Sequence, residues 1–145
     1  MPSQSDVLDR AGRDRAAELL RKLADGEITT DEFADSYPMS DDRGVRAMRQ
    51  AGWLLYDDLR EHKLIGKDAL PAEGKAEVAR WILFLRTDDD FLYPLHEGLS
   101  GCAVSLLSLF TLGQVRIGKW TGDYFPFQTK EDFERAFAEF GTTDL

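Results

Sequence analysis

Helical periodicity, cut at short intervals by glycine, proline and aspartate, is the feature that most narrows what this 145-residue chain can fold into. Val7, Leu8, Ala11, Leu19, Leu20, Leu23 and Ala24 fall at helical spacing and predict a first helix over 6–25. Gly26 follows as a residue able to take the left-handed backbone that closes many helices. Thr29 with Glu32 three residues on is a capping box, opening a short helix over 30–36 that Pro38 stops. Ser40 is placed to cap a third helix, with Asp41 and Asp42 favoured by its N-terminal dipole. Val45, Met48, Gly52, Leu55, Tyr56 and Leu59 give that helix one face as far as His62, and Trp53 and Leu54 broaden it, which predicts a central helix. Pro71 suits the first turn of a fourth helix, which carries Val78, Trp81, Ile82 and Leu85 before Thr87-Asp88-Asp89-Asp90 breaks the pattern.

The last third is more mixed. Residues 100–112 are strongly apolar, with Ser105, Ser108 and Thr111 recurring every three positions, which favours a buried helix over a strand. Val115 and Ile117, the turn Thr121-Gly122-Asp123 and then Tyr124-Phe125 predict a β-hairpin, its second arm held to an edge by Pro126. Thr129 caps a final helix with Phe133, Ala136, Phe137 and Phe140 on one side and Gly141 as terminator. The expectation is a mainly α protein: one domain over 1–145, a bundle of about six helices and one short C-terminal β-hairpin.

Composition narrows the function classes. Lys and Arg total 18 against 27 Asp and Glu, a net charge of −9, which argues against a nucleic-acid binder needing a concentrated basic surface. A single cysteine excludes an internal disulfide. The start of the chain lacks the basic-then-apolar pattern of a signal peptide, and no apolar run reaches the roughly 20 residues of a membrane span. The expectation is a soluble, acidic, cytoplasmic protein with no nucleic-acid or membrane partner. Acid is concentrated: residues 27–42 hold Glu27, Asp31, Glu32, Asp35, Asp41 and Asp42 without a base, and residues 87–97 add Asp88, Asp89, Asp90 and Glu97.

The segment from Leu19 through Gly26-Glu27-Ile28-Thr29 to Glu32-Phe33 resembles short helical-hairpin oligomerisation modules of bacterial proteins: a leucine-rich helix, Gly-x-Ile-Thr, then Glu-Phe in the next helix. That resemblance implies a homo-dimer formed through the N-terminal hairpin. Together with Tyr56-Asp57-Asp58-Leu59-Arg60-Glu61-His62 and Trp81-Ile82-Leu83-Phe84-Leu85-Arg86, the chain also looks like a family of small uncharacterised bacterial proteins, a likeness that implies no mechanism.

Two clusters carry chemistry. On a helix, Asp58 and His62 lie four apart and Glu61 beside them, an arrangement able to serve as a catalytic carboxylate/His set or as metal ligands. The same spacing equally describes an ion pair at a helix end, where the dipole favours a protonated His62. Asp88 and Asp90, with His96, extend the metal reading, although no calcium-loop spacing is present and an aspartate run also suits a solvated turn. His96-Glu97-Gly98-Leu99-Ser100 has serine where a zinc-protease helix needs its second histidine. Gly113 to Lys119 has phosphate-loop spacing, but Trp120 stands where the Mg²⁺-holding hydroxyl belongs. Cys102 opens the most apolar segment and reads as an inert core residue, and Gly98-Leu99-Ser100-Gly101 lacks the nucleophile-elbow spacing.

The aromatics Tyr93, Trp120, Tyr124 and Phe127, beside Asp88, Asp89 and Asp90, would make an acid-rimmed aromatic patch suited to protein recognition if their rings stayed exposed. The leading expectation is therefore a non-enzymatic interaction protein with no cofactor, binding a basic or polar protein partner in the manner of an immunity or antitoxin-like inhibitor. The alternatives are a small metal-dependent enzyme using the carboxylate/His residues and a homo-oligomeric helical module.

Overall fold

The structure, a computed structural model, describes residues 7–55, 61–94, 117–118 and 124–141. Among them are five α-helices: α1 (Arg10–Ala24), α2 (Thr30–Ser36), α3 (Arg43–Gly52), α4 (Ala72–Arg86) and α5 (Lys130–Phe140). Single 3₁₀ turns occupy Trp53–Leu55 and Gly66–Asp68. Two short strands, β1 (Tyr93–Pro94) and β2 (Ile117–Gly118), pair in parallel. The protein is mainly helical. The helix expected over 100–112 lies outside the described residues.

Local chemistry sets most helix ends. Asp9 accepts the Gly12 N–H at 2.8 Å and caps α1. At its other end Gly26 takes φ +71°, its N–H reaching the Leu23 carbonyl while the Glu27 N–H reaches that of Lys22, so two orphan carbonyls are satisfied. A Cβ at Gly26 would also strike the Ile65 side chain. The Thr29–Glu32 capping box is complete in both directions. Thr129 caps α5 through the Asp132 N–H, and Gly141 at φ +28° follows its last residue.

Packing assigns the centre to α4 rather than α3. Residues 81–85 of α4 are buried without interruption, because α1 lies along one side and an aromatic cluster covers the other. Leu20 and Leu23 of α1, Phe33 of α2, Val45 and Met48 of α3, and Val78, Ile82 and Leu85 of α4 form the main core. α2 approaches α3 closely, since a Cβ at Gly52 would stand 3.0 Å from the Phe33 ring. Beyond α4, Phe84 meets Phe91 and Phe127 edge-on at 6.0 and 5.7 Å, and Phe133 of α5 packs on Phe127 at 5.6 Å.

Four expectations need correction. The third helix is capped by Asp42, not Ser40: the Asp42 carboxylate accepts the Gly44 and Val45 N–H groups, while the Ser40 hydroxyl donates to Asp9. That helix does not run on to His62, because residues 61–64 are irregular. Trp53 is 53% exposed, so the broad apolar face read into the third helix was an overcount. Tyr124 and Phe125 belong to a turn rather than a strand, and the 125–126 bond is cis; Ile117 pairs instead with Tyr93. The expected hairpin is thus not supported, and its intervening turn at 121–123 lies outside the described residues.

Candidate functional site

Arg13 lies on the buried stripe of α1, below Ala16, Ala17 and Leu20, and is itself only 2% exposed. Its Nε and one terminal nitrogen donate to the two oxygens of Asp42, at 2.7 and 3.1 Å. The other terminal nitrogen donates to the Thr87 carbonyl at 2.7 Å, and the Asp89 carbonyl accepts a further bond at 2.9 Å. The guanidinium also faces the Phe84 ring at 5.5 Å. One side chain therefore joins the start of α1, the start of α3 and the segment following α4.

Asp42 is as deeply placed, at 1% exposed, and answers every donor around it. Its oxygens accept from Arg13, from the Gly44 and Val45 N–H groups and from the Asp9 N–H at 3.0 Å. Burial pushes its carboxyl upward, but the Arg13 hydrogen bonds, the Asp9 amide and the Arg13 charge together outweigh it and hold the group below the usual carboxylate value. Asp9 is lowered too, chiefly by the Ser40 hydroxyl and then by the Gly12 amide.

The aspartate run is built into the same network. The Asp88 carboxylate accepts from Arg10 at 3.1 Å, and Arg10 also donates to the carbonyls of Leu85, Arg86 and Thr87. Asp89 faces Arg135 of α5 at 3.6 Å. Asp90 receives a two-pronged contact from Arg43, at 3.0 and 2.6 Å. The three carboxylates expected to meet a partner are each opposed by an arginine of the same chain, from α1, α5 and α3. All three nevertheless stay at the surface, their side chains 74%, 45% and 41% exposed for Asp88, Asp89 and Asp90. A groove of about 660 Å³ runs beside them, lined by Arg10, Arg86 and Arg135 and by four carboxylates, Asp88 and Asp89 among them. Charges of both signs nearly cancel there, so it selects no ligand by its field.

The remaining predicted residues scatter. Phe127 is 2% exposed in the core, so its ring is not offered to a partner. Tyr124 is half-buried and lies 5.7 Å from the Phe133 ring, and Tyr93 pairs through its backbone with Ile117. Trp120, Asp58 and His96 lie outside the described residues, as do Tyr56, Asp57, Glu97 and Cys102. Glu61 and His62 are not on a helix face: Glu61 accepts the Thr29 hydroxyl at 2.5 Å, and the His62 carbonyl accepts the Thr30 N–H at 3.0 Å. They dock on the start of α2. The chain then passes Gly26 at Leu64 and Ile65, at the C-terminal end of α1. Asp88 and Asp90 sit at the opposite end, with Arg10 and Arg13, roughly 20 Å away along a 15-residue helix. His62 and the Asp88–Asp90 carboxylates therefore do not share a site. Among the described residues, no three His, Cys, Asp or Glu side chains gather closely enough to hold a metal ion.

The carboxylates left to solvent lie elsewhere. Of the acid-rich stretch 27–42, Glu27 pairs with Arg21, Glu32 closes the capping box and Asp42 is buried. Asp31 and Asp35, four apart on α2, and Asp41 before α3 are exposed and make no side-chain hydrogen bond or ion pair with a described residue. Sequence reasoning missed Arg13, although a signal was present: residues 13, 16, 17, 20, 23 and 24 make one continuous helical stripe, and Arg13 is its charged member. No helix among the described residues is long and apolar enough to cross a membrane. No protein-family model, no curated protein and no solved structure matches the chain.

Proposed function

We propose that this chain is a non-enzymatic interaction protein whose exposed carboxylates engage a basic or polar protein partner. A cytoplasmic bacterial inhibitor of the immunity or antitoxin kind is the concrete instance. The observation that carries the reading is the division of its acid: with a net charge of −9, the Asp88, Asp89 and Asp90 carboxylates each face an arginine, whereas those of Asp31, Asp35 and Asp41 meet no cation among the described residues. Asp31 and Asp35 stand one helical turn apart on the outer side of α2, whose inner side is fixed by Phe33 and Tyr37. The Tyr37 hydroxyl donates to the Val45 carbonyl at 2.7 Å, so the short helix that presents them is anchored. Unopposed charge on a fixed element steers a basic partner and makes association salt-sensitive.

The test is capture of a partner from the source cell at low and high salt. Wild-type chain retains a basic protein at low salt and loses it as salt rises. The triple variant Asp31→Asn, Asp35→Asn, Asp41→Asn retains at least about tenfold less, a loss of about 1.4 kcal/mol or more. Capture that is indifferent to both salt and the triple variant would remove this reading.

A further inference from the structure

We draw no further inference here: the strongest candidate, the groove of about 660 Å³ between the start of α1, the end of α4 and α5, is lined by charged side chains of both signs, and nothing in the structure shows what would occupy it.

Discussion

Arg13 and Asp42 show what a buried charge demands of its surroundings. Neither is stable in an apolar interior alone, and each is matched by several hydrogen bonds from the other and from backbone groups. Arg13→Met removes one partner, leaves the Asp42 charge buried without its cation, and is expected to cost about 3–5 kcal/mol in urea denaturation. Arg13→Met combined with Asp42→Asn should cost clearly less than the sum of the two single variants, the signature of a coupled pair. The pH dependence follows from the sign of the shift. The Asp42 carboxyl is lowered in the folded chain, so its stabilisation is full above the ordinary carboxylate pKa of about 3.9 and is lost as pH falls through the folded value. Stability followed from about pH 5 to about pH 2 should therefore decline more steeply in wild type than in Asp42→Asn. Equal slopes would mean that Asp42 titrates alike folded and unfolded.

At the scale of elements, what the sequence made legible was local. The Thr29–Glu32 box, the Gly26 closure, the break at Thr87 and the Thr129 cap each depend on residues within one or two turns. Where contacts join distant segments, reading failed. Arg13 and Asp42 are 29 positions apart, and Arg43 and Asp90 are 47 apart. The apolar stripe of α1 does mark Arg13 as its charged member, but no local pattern names the partner that neutralises it. The same holds for Asp88–Asp90: no local pattern shows that α1, α3 and α5 each bring an arginine to these exposed acids. The third helix misled differently: Val45, Met48 and Gly52 do face inward, but Trp53, half-exposed, was counted with them. The Thr29 box has an added function, because the same hydroxyl donates to Glu61 and holds residues 61–62 against α2. Thr29→Ala is expected to cost about 1 kcal/mol from the cap, with greater proteolytic exposure near residue 61. Unchanged thermal stability together with unchanged cleavage would contradict that double duty.

For the whole molecule, the account rests on a division among its acids. One set, gathered around Arg10, Arg13, Arg43 and Arg135, fastens the segment after α4 to three helices. A second set, Asp31, Asp35 and Asp41, makes no such contact with a described residue and is the surface on which the proposed partner depends. An acidic chain gains stability when unopposed like charges are removed and loses it when paired ones are. Neutralising Asp88, Asp89 and Asp90 changes the net charge of −9 by the same amount as neutralising Asp31, Asp35 and Asp41, so any difference reflects placement. The most direct measurement is the urea midpoint of two triple variants beside wild type at low salt. Asp88→Asn, Asp89→Asn, Asp90→Asn should be destabilised by about 1–3 kcal/mol, most of it from the Arg43–Asp90 contact, since the other two pairs are exposed. Asp31→Asn, Asp35→Asn, Asp41→Asn should match wild type or exceed it. Equal midpoints for the two variants, or the reverse order, would contradict the division.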